Sequence, residues 1–466
     1  LHSKAATKTG ISALAAFLLS TAMRVGPGNI LGVTGAISIG GPGALFWMWL
    51  SAFFGMSTAF AESTLSQIFK EKRDGQYVGG LPFYGRRLLN NAAWAGVALS
   101  VLYIVYAFLC FPAQGFNTIS AVGAIANEIT GTTIATNSTL YWISFVVLIL
   151  IAALISFGGI KKVTKVTDLL VPVMAVIYVL TVVVLVVCNF TRIPWFFQAV
   201  FGQAFSPDAV FGGAFGTVLS QGIKRGLMSN EAGQGTGPHA SSAAAVSHPA
   251  KQGLVQAFSV YIDTLFVCSA TGFMILMTGC YNMQAPDGSM IFEGLKGVEA
   301  GPVYTQAAID QLMPGWGGPF IAITIFFFAF TTILGYYYMA ETNMAYLNRY
   351  IRKPVLMSAC KAIFIGTVAF GAINSSTLIW TMADVGVGTM AWLNLIAIML
   401  LQKPAFIALK DYERQLKDGL NPVFHPEQLG IVNATYWEGN RAEDNLAVEE
   451  ESGVDNLTGL DPKNPV

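Results

Sequence analysis

The chain has 466 residues and a formal net charge of zero, with 54% hydrophobic and 11% charged residues. Soluble globular proteins carry about 25% charged residues, so this composition excludes an ordinary soluble domain. A neutral chain also gives no reason to expect nucleic-acid binding. The composition predicts a protein embedded in a lipid bilayer.

Long apolar runs recur from near the start of the chain to about residue 402. A helix needs roughly 20 residues to cross a hydrocarbon core of about 30 Å. On this criterion the sequence predicts ten transmembrane helices, at 10–37, 43–69, 96–126, 140–158, 167–189, 208–228, 253–280, 317–347, 356–372 and 376–401. We therefore predict an all-α integral membrane protein, with a transmembrane domain at 10–402 and a polar, acidic tail at 403–466.

The loops between these predicted spans differ in charge from one side of the membrane to the other. Cytoplasmic loops of membrane proteins carry an excess of lysine and arginine. With a cytoplasmic N-terminus, the outer loops hold only Arg192 and Lys296 as basic residues. The inner loops and tail hold Lys70, Lys72, Arg73, Arg86, Arg87, Lys161, Lys162, Lys165, Lys224, Arg225, Lys251, Arg349, Arg352, Lys353, Lys403, Lys410, Arg414 and Lys417. Both ends of this chain are expected in the cytoplasm, with the tail solvated and partly disordered.

Five cysteines are scattered through the apolar runs without CxxC spacing, so we interpret them as small packing residues rather than as a metal site or disulfides. They are Cys110, Cys188, Cys268, Cys280 and Cys360.

Glycines interrupt the first and the sixth predicted spans. The first contains Gly26-Pro27-Gly28, and the sixth contains Gly212-Gly213 with Gly216. Interrupted segments at matching places in two halves are the best sequence indication of a transporter site at the membrane midplane. Five spans per half is an odd number, so the halves, about 10–189 and 208–401, would be inverted repeats.

The first interruption has the residue types needed to hold a ligand. Pro27 removes a backbone donor and its flanking glycines weaken the helix. A helix broken here frees N–H groups for a substrate carboxylate and C=O groups for a cation. Asn29 adds one donor and one acceptor beside the break. The alternative is a proline kink with close helix packing, since Gly28 and Gly32 form a GxxxG pair.

Several ionisable residues fall inside or beside the predicted spans. Arg24 lies two residues before the first break, where a charge is costly unless it faces a cavity or an acidic partner. Both carboxylate binding and a structural ion pair are open to it, and we favour the pair. Asp263 and Asp384 are intramembrane acids, and Glu62 and Glu341 lie near cytoplasmic ends. The remaining candidates are interpreted as ordinary loop residues (His239 and His248) and as a chance likeness to a phosphate loop (residues 233–237).

The eighth predicted span carries adjacent hydroxyls at Thr331 and Thr332. Two such oxygens beside the carbonyls of a broken helix suit a small hard cation such as Na⁺. The alternative is that each threonine bonds back to a carbonyl of its own helix.

Four segments now resemble a known family. They read GNILGVTGAISIGGPGALFWMW at 28–49, GIKRGLMSNEAGQG at 222–235, HPAKQGLVQ at 248–256 and FAFTTILG at 328–335. They are similar to segments of the alanine/glycine:cation symporter family, and the similarity spans residues 10 to about 402. The resemblance implies a LeuT-type five-plus-five inverted repeat with broken first and sixth helices. It also implies uptake of alanine, glycine or a related amino acid, coupled to sodium or protons.

The resemblance assigns roles residue by residue. Gly26, Gly28 and Asn29 match the unwound first helix and are expected to hold the substrate carboxylate, and Phe215 to pack over the ligand. A Na⁺ site is implied at Thr331 and Thr332, completed by carbonyls near Ala22, Val25 and Phe328.

Three positions near the expected ligand depart from the family pattern. Pro27 stands where a threonine is common, Gly115 where a glutamine is expected, and Tyr336 where tryptophan or asparagine is frequent. Gly115 in place of glutamine is expected to enlarge the pocket, so serine or glutamine becomes an alternative substrate. The family also has a further N-terminal span, and because the chain starts at Leu1 we expect that a span has been lost.

The sequence thus predicts alternating-access symport rather than an enzyme, because no histidine lies inside a predicted span to serve as a base. The two hydroxyls favour Na⁺ as the coupling ion. Proton coupling, which Asp263 and Asp384 keep open, and an amino-acid sensor on the same fold are the alternatives. The sequence leaves the oligomeric state open.

Overall fold

The computed structural model describes residues 10–73, 76–130, 139–156, 160–205, 214–285, 288–311, 313–353, 355–374 and 376–438. Across these residues the protein is helical, as predicted, with two short antiparallel hairpins. The hairpins are β1 (Glu71–Arg73) with β2 (Gln76–Val78), and β3 (Asn282–Gln284) with β4 (Met290–Glu293). The α-helices of the described residues are α1 (Ala13–Arg24), α2 (Val33–Gly40), α3 (Gly43–Ile68), α4 (Leu81–Gly85), α5 (Ala93–Thr130), α6 (Thr139–Ser156), α7 (Ile160–Cys188), α8 (Ile193–Ala204), α9 (Ala214–Asn230), α10 (Gly237–Ser242), α11 (Pro249–Val260), α12 (Ser269–Thr278), α13 (Pro302–Asp310), α14 (Gly317–Ile351), α15 (Val355–Ile373) and α16 (Ser376–Lys417).

Five further helical segments of the described residues are not α-helices. Two are π-helices, Gly28–Gly32 between α1 and α2 and Tyr261–Cys268 between α11 and α12. Three are 3₁₀-helices, at Arg86–Leu89, Phe190–Arg192 and Pro426–Leu429.

Within the described part of the chain, seven helices are long and apolar enough to cross a membrane, and a bent pair raises the number to eight. The bent pair joins Ala13–Arg24 to Gly28–Gly40 at an angle of 48°. The count of ten predicted from the sequence is not reached among these residues. The predicted fourth span contains a shorter apolar helix, Tyr141–Leu154, and the first part of the predicted sixth span lies outside the described residues.

The outer surface of the bundle is apolar where lipid would contact it. Large side chains such as Leu154, Val187 and Trp392 are more than 60% exposed. Trp94 and Trp316, also mostly exposed, lie at the beginnings of α5 and α14. Tryptophan is enriched where a span meets the membrane interface, so this surface fits a multi-pass membrane protein.

The first helix is anchored at its N-terminal end. Ser12 caps its N-terminus by accepting a hydrogen bond from the Ala15 amide at 3.0 Å, which satisfies a backbone donor that the helix leaves unpaired. The preceding residue, Ile11, forms a parallel bridge to Ala244. These contacts fix the beginning of α1 against the segment that follows α10.

The tail predicted from residue 403 is structured in its first part. α16 continues to Lys417, and the segment after it packs onto the end of the bundle formed by α3 and β2. The Trp437 indole donates a hydrogen bond to the Gln67 carbonyl at 3.0 Å. Residues 439–466, which hold the acidic run, lie outside the described residues.

Candidate functional site

The first break separates α1 from α2 as the sequence predicted. α1 ends at Arg24, and the chain re-enters a helix at Gly28 in the π form. The Asn29 side chain reaches back across the break, where its Oδ1 accepts a hydrogen bond from the Gly26 amide at 2.8 Å. Pro27 has no amide hydrogen and therefore needs no acceptor. The Asn29 side chain pairs the Gly26 amide, which the break would otherwise leave without a partner.

A second break lies at residues 231–236, between α9 and α10. Three residues in it have positive φ angles: Glu231 (53°), Gly233 (81°) and Gly235 (80°). Glycine adopts this conformation readily, and other residues adopt it rarely. The prediction placed the interruption of this span at residues 212–216; residues 212 and 213 lie outside the described residues, and Gly216 lies within α9. The glycine-rich segment that was interpreted as a chance likeness is therefore the observed break.

The two breaks face one another. A Cβ added to Gly28 would lie 3.6 Å from the Ser229 Cα, and one added to Gly32 would lie 3.9 Å from the Arg225 carbonyl oxygen. The GxxxG pair thus packs on α9, so the interpretation as close helix packing and the interpretation as a ligand site both fit the geometry.

A cavity of about 30 Å³ lies between the breaks. Four of the predicted substrate residues line it, namely Gly26, Gly28, Thr332 and Tyr336. The other lining residues are Met23, Arg24, Pro27, Cys110, Ala113, Gln114, Met228, Glu231, Trp380, Ala383 and Val387. The cavity is enclosed by α1, α5, α9, α14 and α16, so residues distant in sequence meet at it.

Asn29 and Gly115 do not line this cavity. Asn29 lies directly behind the first break. Gly115 faces α15, and a Cβ there would overlap the Val368 carbonyl. Its small size therefore permits helix packing and does not enlarge this cavity, while its neighbour Gln114 lines the wall. Phe215 lies at the start of α9, and its side chain falls outside the described residues.

The predicted cation residues are brought together in part. The Thr332 Oγ1 donates to the Phe328 carbonyl at 2.8 Å and lies 3.1 Å from the Ala22 carbonyl. The Thr331 Oγ1 bonds within its own helix, to the Phe327 carbonyl at 2.9 Å and the Phe328 carbonyl at 3.2 Å, and it also lies 3.9 Å from the Met174 sulfur of α7. Thr332 therefore joins the eighth predicted span to the first, and Thr331 follows the alternative of back-bonding.

These oxygens fit a hard monovalent cation. The last turn of a helix leaves carbonyls without intrahelical partners, and Ala22 and Val25 lie at the end of α1. Hydroxyl and carbonyl oxygens are ligands that hard cations accept. No cluster of three or more His, Cys, Asp or Glu side chains occurs within the described ranges, so the residues present favour a site built from neutral oxygens over a transition-metal site.

Arg24 is buried in a polar network beneath the first break. Its Nη1 donates to the Gln256 Oε1 at 2.9 Å and to the Ser259 hydroxyl. Its Nη2 lies 3.9 Å from the Glu62 Oε1. The interpretation of Arg24 as one half of a structural ion pair agrees with this geometry.

Asp263 lies in the π-helix that follows α11, directly behind the first break. One oxygen accepts from the Asn29 Nδ2 at 2.7 Å, and the other accepts from the hydroxyls of Ser229 at 2.9 Å and Thr264 at 3.0 Å. Asp263 therefore connects Asn29 at the first break to Ser229, two residues before the second.

Three residues that the sequence assigned to loops lie within helices. Lys224 and Arg225 belong to α9, and Lys224 pairs with Asp384 of α16 at 2.8 Å. His239 belongs to α10 and is fully buried, with its Nε2 2.9 Å from the Asn343 Nδ2. The interpretation of His239 as an ordinary loop residue is wrong, because the second break turns this segment into the bundle interior. His248 is also buried and caps α11.

Sequence reasoning did not select Glu231, which lines the cavity. It is 2% exposed, and its carboxylate accepts hydrogen bonds from the Thr236 hydroxyl at 2.6 Å and from the Tyr336 hydroxyl. The only available signal was its position in the SNEAG segment, one residue after the end of an amphipathic helix and two before a glycine. Without the second break in view, that position reads as the end of a solvated helix.

Comparison with known proteins shows which family the chain belongs to. A sequence model of the sodium:alanine symporter family matches residues 1–426. A Bacillus subtilis protein, provisionally named a sodium/proton-dependent alanine carrier, is 50% identical over 93% of this chain and 87% of its own length. The sodium/proton-dependent alanine carrier protein of Bacillus sp. strain PS3 is 43% identical, over 93% and 95%. A Bacillus subtilis protein provisionally named a sodium/glutamine symporter is 38% identical, over 91% and 83%. The chain therefore belongs to the sodium:alanine symporter family.

Proposed function

We propose that this protein imports a small neutral amino acid, alanine or glycine, by symport with Na⁺. The observation that carries the proposal is the cavity between two helix breaks that face each other. Each break exposes backbone polar groups at a point buried from both ends of the bundle. In a membrane interior such groups persist only where they line a cavity or are buried in protein.

The first break suits the carboxylate of the substrate. A helix that starts inside the bundle directs its N–H groups and positive dipole end toward the cavity. The helix restarting at Gly28 has this orientation. Glycine at 26 and 28 lets a ligand approach the backbone closely, because no side chain intervenes.

The size of the cavity favours the smallest amino acids. The cavity is small, at about 30 Å³, so any substrate requires some expansion. Alanine and glycine require the least. The alternative substrates, serine and glutamine, need a larger expansion of the cavity. One relative is named for glutamine, so glutamine is included in the test below.

Charge balance supports coupling to a cation. The Arg24 guanidinium interacts electrostatically with three buried carboxylates, those of Glu62, Glu231 and Asp263. If all four groups are ionised, the cluster carries two more negative than positive charges, which is costly in a buried site. A cation held by Thr332 and the carbonyls at the end of α1 would offset part of this charge. Protons on the carboxylates would do the same, which makes H⁺ the alternative coupling ion.

We further propose alternating access at the plasma membrane, with both ends of this chain in the cytoplasm and two inverted five-helix repeats. Cation binding between the first break and α14 would preorganise the amino-acid site. Occupation of both sites would then permit the broken helices to rock against the remaining bundle.

The test is uptake of labelled alanine, glycine, serine and glutamine into proteoliposomes, with and without an inward Na⁺ gradient. Accumulation of one amino acid driven by the gradient supports symport and identifies the substrate. Accumulation that follows a proton gradient and ignores Na⁺ overturns the coupling ion. Binding without accumulation in either gradient identifies a sensor and overturns transport.

A further inference from the structure

Two charged side chains line the cavity among the described residues, Arg24 and Glu231. We propose that Glu231 binds the ammonium group of the transported amino acid and restricts transport to substrates that carry a free amino group. This role presupposes the amino-acid transport proposed above and adds the group that distinguishes an amino acid from a simple carboxylic acid.

An ammonium group in a water-excluded site requires an anionic partner, because an unpaired buried charge is strongly unfavourable. Three buried carboxylates lie near the breaks, and two of them are turned away from the cavity. Glu62 accepts from the Asn394 side chain and the Gly235 amide and faces Arg24. Asp263 is engaged by Asn29, Ser229 and Thr264, as described above. Of the three, only Glu231 lines the cavity.

The Glu231 carboxylate is held in place but not saturated. It accepts from the Thr236 and Tyr336 hydroxyls, one on each oxygen. An ionised carboxylate offers about four acceptor positions, so the side of the group that faces the cavity can accept an ammonium as well. Tyr336 itself lines the cavity, so both groups of this pair lie where a ligand would contact them.

The backbone at Glu231 is also unusual. Its φ angle of 53° places a non-glycine residue in the left-handed region, a strained conformation that occurs most often at functional sites. Glycine would avoid this strain but would lack the carboxylate. The conformation turns the chain at the end of α9, so that the side chain enters the space between the breaks.

The two ends of a zwitterion would then be recognised by different breaks. The N-terminus of the restarted helix at Gly28 receives the carboxylate, and Glu231 receives the ammonium. Gly28 lies against Ser229, two residues from Glu231, and both Gly28 and Glu231 line the cavity, so one ligand can contact both groups.

The test measures binding of L-alanine and of propionate, its analogue without the amino group, to the purified full chain in Na⁺ buffer by titration calorimetry. Wild-type protein is compared with Glu231→Gln, and with Glu62→Gln as a matched buried glutamate outside the cavity. We expect Glu231→Gln to weaken alanine binding about tenfold or more, as loss of a charge-assisted contact predicts, and to leave propionate binding unchanged or tighter. Glu62→Gln should keep the alanine-to-propionate ratio of the wild-type protein.

An equal loss of affinity for both ligands, or a weakened Na⁺ affinity with an unchanged ratio, would overturn the assignment, because either result indicates a structural or cation-binding role. If Glu231→Gln does not yield monodisperse protein, Glu231→Asp is measured instead. An alanine-to-propionate affinity ratio equal to that of the wild-type protein in this variant would also overturn the assignment. Wild-type protein that binds no amino acid refutes the proposed function itself, which separates the two failures.

Discussion

The two helix breaks reach the same cavity by different chemistry. The first is made by proline, is capped by the Asn29 side chain and continues into a π-helix. The second is made by three residues with positive φ angles and contains Glu231. The first break therefore supplies backbone groups, whereas the second supplies a charged side chain. Proline removes a donor and fixes one angle, and glycine lets the chain turn sharply enough to direct its neighbour inward.

The largest effect should come from a side chain added at the second break. Gly235→Ala forces a left-handed alanine whose Cβ overlaps the Tyr103 hydroxyl. We expect a loss of about 2–5 kcal/mol in the free energy of unfolding, seen as a lower Tm in detergent. Gly28→Ala should leave the Tm nearly unchanged while impairing transport, because its Cβ meets only ordinary contacts. Gly216→Ala is the control, since nothing lies within 4 Å of its Cβ position. Equal Tm values for all three variants would contradict the contrast between the breaks.

A smaller loss is expected at the cap of the first break. Asn29→Ala removes the acceptor for the Gly26 amide and a donor to Asp263. Leaving these buried groups unpaired should cost about 1–3 kcal/mol, measured by chemical or thermal unfolding in detergent. Thr34→Ala, which removes a hydroxyl bonded to the Leu31 carbonyl of the same segment, serves as the comparison. A stability loss no greater than that of Thr34→Ala would show that Asn29 does not support the break.

The two adjacent threonines should differ in their effect on coupling. Thr332→Ala removes the hydroxyl that reaches the Ala22 carbonyl, so we expect about a tenfold weaker apparent Na⁺ affinity, or about 1.4 kcal/mol, in proteoliposome uptake. Thr331→Ala should have less effect, because its hydroxyl bonds to carbonyls of α14 and not to the end of α1. Unchanged Na⁺ dependence in the double variant would refute the cation site.

The smallest expected effect is a change of stability with pH, caused by His248, which follows the second break. Burial lowers the pKa of His248 despite its bond to Asp411, whereas an unfolded histidine keeps a pKa near 6.5. Below about pH 6.5 the unfolded chain binds more protons than the folded chain. The free energy of unfolding therefore decreases as the pH falls below this value. We expect a loss of about 1 kcal/mol between pH 7 and pH 5.5, absent in His248→Gln. An identical pH dependence of the Tm in that variant would assign the effect to other groups.

Several parts of the site followed from local sequence. The break at Gly26-Pro27-Gly28 was predictable because proline cannot donate a backbone hydrogen bond within a helix. The pairing of Thr332 with the end of α1 followed from the family resemblance rather than from spacing, and Thr331 kept the local bond that helical threonines commonly make.

Other parts were not predictable, because they depend on neighbours distant in sequence. Gly115 faces a cavity or a helix according to how α5 is rotated, and the rotation is decided by its packing on α15. The second break was placed at 212–216 because glycine clusters occur there too, and only the backbone angles at 231–236 identify where the chain turns. Glu231 was missed for the same reason.

The sequence by itself determined that this chain is a helical membrane protein, where its first helix breaks and to which family it belongs, because hydropathy, proline chemistry and motif identity are local properties. The tertiary structure alone decided which residues share the cavity, that Arg24 lies among three carboxylates and that Glu231 points between the breaks. These facts depend on distances between helices, which a linear pattern of residues does not contain.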